Sequence, residues 1–161
     1  MLTNPLFSQK NWNVKALVGH GFFEGNHAGL ACNINNYSIG FSYGELSNRY
    51  PCESGKAKIY MLNNSLYFGG INRYDFKTSY LCLNLRYLFY DKFSKSYKLF
   101  PINPGIGKEF YLSKKIGVDI KGGFYLIFLG QVTKKVNDYD LGFWIYPVMP
   151  NLAVSVFFRI P

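Results

Sequence analysis

The chain has 161 residues and a formal net charge of +9, and 19% of it is aromatic, with fifteen Phe and fourteen Tyr against two Trp. Mean hydropathy is −0.04, so nothing approaches the ~20 apolar residues of a membrane-crossing helix, and the length suits one domain. The basic excess attracts anionic surfaces but falls largely in turn-like clusters such as Ser113-Lys114-Lys115 and Lys134-Lys135; without a helix-turn-helix or RNP-type pattern, nucleic acid is a poor partner.

Residues 1–11 form an N-terminal segment with no basic start and no long apolar core, and Leu6-Phe7-Ser8-Gln9 reads as the remnant of an export signal. The domain is expected from residue 12 to residue 161. Trp12, Val14, Ala16, Val18 and Phe22 alternate with Lys15, Gly19 and Gly21, which predicts a first strand from Trp12 to Glu24. Glu24 to His27 reads as a turn. A short second strand, Ala28 to Ile34, meets Asn35-Asn36, a pair that tolerates positive φ in a tight hairpin. In a third strand, Tyr37 to Glu45, the residues Ser38, Gly40, Ser42 and Gly44 make one face small. Leu46 to Gly55 reads as a loop. A fourth strand lies within Lys56 to Arg73, interrupted by Asn63-Asn64.

Thr78 to Tyr90 alternates cleanly, Leu81, Leu83, Leu85, Tyr87 and Phe89 against Tyr80, Cys82, Asn84 and Arg86, and a polar loop is expected from Asp91 to Tyr97. The sixth strand, Leu99 to Leu112, sets Phe100, Ile102, Ile106 and Phe110 against Asn103, Gly105, Gly107 and Glu109. After a turn at Ser113 to Lys115 comes the most informative stretch, Ile116 to Leu129. Its greasy parity (Ile116, Val118, Ile120, Phe124, Leu126, Phe128) faces away from Asp119 and Lys121. A core strand rarely carries two charges mid-strand, whereas a membrane barrel strand is apolar outward and polar inward. Gly130 to Pro150 reads as a long connection with an apolar patch at 141–146. Asn151 to Ile160 closes the chain, with Arg159 on the polar parity.

The expected fold is therefore all-β: an eight-stranded, antiparallel, up-and-down transmembrane β-barrel. Short turns would lie at the end that holds the termini, and longer loops at the other. Arg86, Glu109, Asp119, Lys121 and Arg159 share the inward parity, and in a narrow lumen they should neutralise one another. Cys32, Cys52 and Cys82 are odd in number and lack CxxC spacing, which argues against a disulfide framework or a metal site. No cofactor is expected. Pro101, Pro104, Pro147 and Pro150 cannot donate to a ladder: they read as strand-terminating residues, the alternative being gaps between strands that would admit a lipid tail sideways.

Ile106 to Ser113, Ile116 to Phe128 and Asn151 to Ile160 together resemble the small eight-stranded bacterial outer-membrane barrels. The resemblance implies integral residence in the outer membrane, membrane lipids and lipopolysaccharide as partners, and a monomer. A second resemblance is to the lipid A palmitoyltransferase family. It is carried by Tyr146-Pro147-Val148-Met149-Pro150, by the ending Arg159-Ile160-Pro161, by His20, and by Glu45-Leu46-Ser47-Asn48-Arg49. That likeness implies acyl transfer from phospholipid to lipid A, with His20, Ser47 and Glu45 catalytic. The sequence departs from the family pattern in having Glu for Asp, Ser47 displaced by one residue, and no amphipathic N-terminal helix.

Parity places His20 with the apolar set unless a bulge near Gly19 or Gly21 re-aims it. Three functions follow. The first is an outer-membrane barrel with a structural or surface-recognition role. The second is a lipid A acyltransferase, and the third a soluble lipocalin-like binder whose apolar residues would face inward.

Overall fold

A computed structural model describes residues 12–22, 24–47, 56–74, 76–92, 95–134 and 146–160. The N-terminal segment 1–11 and most of the apolar patch at 141–146 lie outside the described residues. Eight strands follow in order: β1 (Trp12–Gly21), β2 (Gly25–Ile34), β3 (Tyr37–Ser47), β4 (Lys56–Ile71), β5 (Lys77–Lys92), β6 (Lys95–Tyr111), β7 (Ile116–Lys134) and β8 (Tyr146–Ile160). Each pairs antiparallel with its sequence neighbours, and β8 returns to β1, closing a barrel.

Closure leaves no sheet edge, and the turns explain the short links at the end holding the termini. Asn35 adopts φ 55°, the positive angle its hairpin requires. The Oδ1 of Asn72 accepts the amides of Tyr74 and Phe76 at 2.9 and 3.0 Å, an Asx-type turn. Ser113 Oγ does the same for Lys115 and Ile116 at 3.2 and 3.0 Å.

The polarity of the wall is inverted relative to a soluble protein. Val18, Leu30, Phe41, Leu62, Leu85, Ile106, Phe124 and Val156 are exposed on the outside, whereas Lys15, Asn84, Arg86, Asn103, Glu109 and Arg159 are buried inside. A lipocalin-like binder needs the opposite arrangement, so that alternative is set aside.

Several boundaries differ from expectation. The strands on one side run well beyond the hydrophobic alternation: β5 continues to Lys92 and β6 begins at Lys95, so the loop expected from Asp91 to Tyr97 shrinks to residues 93–94. Likewise β7 extends to Lys134 and β8 begins at Tyr146, shortening the last connection to 135–145. Polar residues there signal a strand leaving an apolar layer rather than a strand ending. Ser47 belongs to β3, opposite Lys56, and not to the loop. Asn26 and His27 likewise belong to β2.

β4 is continuous through Asn63-Asn64 because both side chains are partnered. Asn63 Nδ2 donates to Ser42 Oγ at 2.7 Å, and Asn64 accepts from Tyr37 Oη at 2.8 Å while donating to Leu83 O at 3.2 Å. The β4–β5 pairing lapses at these two residues, yet the register is unchanged on either side, with Leu62 opposite Leu85 and Ser65 opposite Cys82. An amide thus stands in for the missing ladder bond. The same device recurs beside Pro104, where the β6–β7 pairing skips from Ile102↔Leu126 to Gly105↔Gly123 and Asn103 Nδ2 reaches Phe124 O at 3.0 Å. The prolines lie inside β6 and β8 rather than ending them, and the register shifts at Leu99/Pro101 and Tyr125/Ile127 are the distortion they cause.

Gly19 marks a close approach. It sits between His27 on β2 and Ser155 on β8, and those two side chains bond across it at 3.0 Å. A Cβ at Gly19 would collide with Ser155 Oγ and Val154 O. Gly19→Val is therefore expected to destabilise the barrel by about 1–3 kcal/mol through overpacking, read as a lower denaturant midpoint, whereas Val18→Ile on the outside should leave the midpoint unchanged.

Candidate functional site

The charged interior is the candidate site, and it forms two clusters. Toward the end that carries the 48–55 and 135–145 connections, the β1–β2 turn swings Glu24 inward until it is fully buried. Its carboxylate pairs with Arg86 on β5, on the far side of the barrel, and with Lys121 on β7 at 3.3 Å. Asn151 on β8 donates to it at 3.4 Å. The Arg86 guanidinium lies over the Tyr125 ring, 4.6 Å from its centroid. One carboxylate therefore serves two permanent cations.

At the other end Glu109 on β6 plays the same part. It receives Lys15 from β1, Tyr67 from β4 and the neighbouring Tyr111, with the Arg159 guanidinium at 3.5 Å. Arg159 also bonds Tyr111 and lies 3.8 Å from the Phe76 ring centroid. The 72–76 connection lays Phe76 against Tyr111, ring centroids 5.2 Å apart, so this mouth of the barrel is covered by aromatic side chains. Asp119 completes the cluster by accepting from Tyr80 at 2.6 Å.

Of the five lumen charges expected from parity, Arg86 and Lys121 converge on Glu24, Glu109 and Arg159 meet each other, and Asp119 goes to a tyrosine. Sequence reasoning missed the two hubs' other members. Glu24 and His27 were assigned to a turn, where parity gives no direction. Lys15 lies on the inward parity of β1, which is the signal in the sequence that marks it as a lumen charge.

His20, Glu45 and Ser47 are elsewhere. Register across Gly19 to Gly21 is unbroken, so no bulge turns His20 inward. It is exposed, with Nδ1 2.8 Å from Asn26 Oδ1. Glu45 is exposed on the same outer face and accepts from Tyr43 Oη at 2.7 Å. His20, Asn26 and Glu45 are successive partners in one rung of β1, β2 and β3.

A different serine–histidine–carboxylate chain exists inside. Ser155 Oγ is 3.0 Å from His27 Nε2, and His27 Nδ1 is 3.4 Å from Glu24 Oε2. The order of groups is that of a nucleophile, base and acid, but Nδ1 has its hydrogen bond with Gly25 O at 3.4 Å and Glu24 Oε2 has none. Chemistry would also need a reacting atom ~3 Å from the nucleophile. Here Ser155 and His27 are each 3% exposed, and the strand at Gly19 closes against the hydroxyl. The imidazole is instead held in place, by the Ser155 hydroxyl at Nε2 and the Gly25 carbonyl at Nδ1, beside the Glu24 carboxylate. Among the described residues no group of His, Cys, Asp and Glu has metal-binding geometry.

No family model matches the chain, and no curated protein matches it. Among solved structures it is similar to the crystal structure of the N-terminal β-barrel domain of Pseudomonas aeruginosa OprF, with TM-score 0.50 and 12% identity over 92% of this chain and 96% of that one. The likeness is one of fold.

Glu24 lies in the turn outside the strands. Burial opposes its ionisation, but Lys121, Arg86 and His27 outweigh burial and hold its pKa down from 4.5 to about 2. A carboxyl depressed in the folded state stabilises it above its unfolded pKa and loses that contribution as pH falls through the folded one. Barrel stability should therefore fall between about pH 4.5 and pH 2. Glu24→Gln should cost roughly 3–5 kcal/mol near neutral pH, because Arg86 and Lys121 lose their counter-charge. Denaturant titrations of both proteins at several pH values read this, with a shallower acid limb expected for the variant.

Proposed function

We propose that the chain is an integral β-barrel of a bacterial outer membrane, with a structural or surface-recognition role. The observation that carries the reading is the outward apolar band. On β7 it runs from Ile116 through Ile120 to Phe124, and on β8 from Leu152 through Val156 to Ile160, all exposed. Ile116 to Leu126 covers ten residue steps, roughly 33 Å along the strand, or about 25 Å of membrane normal at a tilt near 40°. That matches the hydrocarbon-facing belt of such barrels.

Aromatic side chains border the band at both ends. Toward the loop end Tyr43, Tyr60 and Tyr87 stand in one rung beside Phe100, with successive ring centroids 5.3, 6.3 and 5.0 Å apart. Toward the other end Trp12, Tyr37, Phe68 and Phe110 are exposed on the outside. Amphipathic rings at both margins favour a bilayer over a soluble partner. The resemblance to small outer-membrane barrels and the likeness to the OprF barrel domain both favour a bacterial outer membrane over other bilayers.

Within the barrel, side chains from opposite walls bond to one another, so the interior serves as a brace rather than a wide conduit. Recognition then falls to the segments joining strands at the loop end, above all residues 48–55 and 135–145. Membrane lipids, lipopolysaccharide among them, are the partners this surface meets.

Refolding into lipid vesicles tests the reading. The wild-type chain should become protease-resistant and run faster on gels when unheated. Leu83→Arg, four residues from the Tyr87 margin and near mid-band, should cost about 2–4 kcal/mol in bilayer stability, and the same change at Leu112, beyond the Phe110 margin, far less. A chain that folds as a soluble monomer without lipid or detergent, or that tolerates Leu83→Arg, overturns it. Cell fractionation then assigns the membrane.

A further inference from the structure

The aromatic rung at the loop end has a second rung above it. Two residues beyond Tyr60, Tyr87 and Phe100, the partners Lys58, Phe89 and Lys98 stand side by side on β4, β5 and β6, Lys58 opposite Phe89 and Phe89 opposite Lys98. Strand alternation gives this rung the same direction as the rings below it, outward. Lys58 is exposed and Lys98 half-exposed. Among the described residues neither lysine has a carboxylate within ion-pair distance; the neighbouring Glu45 takes the Tyr43 hydroxyl instead. The two Cα positions are about 10 Å apart, two strand spacings, and both side chains are long enough to turn toward one point above Phe89.

We propose that Lys58 and Lys98 form a site for the phosphate of an anionic membrane lipid, the ammonium groups gripping the headgroup while its chains lie along Tyr60, Tyr87, Leu62 and Leu85. This rests on the membrane reading above. Three features point to a lipid rather than a soluble anion. The lysines sit about 5 Å above the aromatic margin along the membrane normal, at headgroup depth. Their apolar stems rise from a ring-lined surface, as in snorkelling. The charge is local: in the same circumferential rung, β1, β2 and β3 supply His20, Asn26 and Glu45, which bring no permanent cation. The headgroup would therefore be bound on the β4–β6 side of the barrel and not around it.

The full chain is inserted into nanodiscs of phosphatidylcholine with or without phosphatidylglycerol, and retained lipid is counted by native mass spectrometry across a salt series. Lys58→Gln/Lys98→Gln is compared with Lys114→Gln/Lys115→Gln, an exposed pair in the turn at the opposite end. The first variant should lose roughly tenfold to thirtyfold in phosphatidylglycerol affinity, with phosphatidylcholine unaffected; Lys58→Arg/Lys98→Arg should retain binding. The proposal is overturned if the first variant binds as the wild type does, if the control pair loses as much, or if the wild type does not prefer phosphatidylglycerol. Failure to insert into either lipid overturns the membrane reading with it, whereas normal insertion without preference overturns the headgroup site alone. Gel mobility of the unheated protein confirms that every variant is folded.

Discussion

Everything inside this barrel depends on one constraint. Eight strands close into a ring whose interior is only wide enough for side chains, so a charge placed there must find its counter-charge there. Two carboxylates answer that need. Glu24 gathers Arg86 and Lys121, and Glu109 gathers Lys15 and Arg159. Because those partners come from β1, β5, β7 and β8, each hub braces the wall across the lumen as well as along it. Glu24 is carried by a turn, so pairing also pulls the β1–β2 connection into the barrel mouth.

The fold was legible because alternation is a direct consequence of strand geometry. Asp119 and Lys121 beside Ile116, Val118 and Ile120 announce a two-faced strand, and the same division in β5, β6 and β8 makes a barrel the economical arrangement. Legibility failed where that signal is absent. Glu24 sits in a turn, and direction in a turn depends on tertiary contacts with residues more than sixty positions away. Asn63-Asn64 looked like an interruption because asparagine disfavours strands; here its amides replace ladder hydrogen bonds, which only the facing residues reveal. His20 drew attention as a histidine near a rim, but unbroken register keeps it outside, and the buried histidine is His27.

Two of the interruptions in pairing follow one pattern. Where a proline or a paired asparagine leaves a carbonyl without a ladder donor, a neighbouring asparagine amide supplies one, Asn103 to Phe124 and Asn64 to Leu83. In a medium without water an unsatisfied carbonyl is expensive, and at these two gaps a substitute donor is at hand. This weakens the idea that the prolines open a sideways passage for lipid: the gap beside Pro104 is bridged.

The wall is also uneven in height. β1, β2 and β3 have 10, 10 and 11 residues, whereas β4 to β8 have 16, 16, 17, 19 and 15. On β7 and β8 the added length projects at the loop end, past Ile127 and Ala153 where their pairing with β8 and β1 stops, whereas β4 adds Tyr67 to Ile71 at the end of the termini. At the loop end Lys58 and Lys98 stand on the outward parity of β4 and β6, while β1, β2 and β3 continue that rung with His20, Asn26 and Glu45. Strand length, set by how far polar residues continue to pair beyond the apolar band, decides where the wall rises above that level and where it stops.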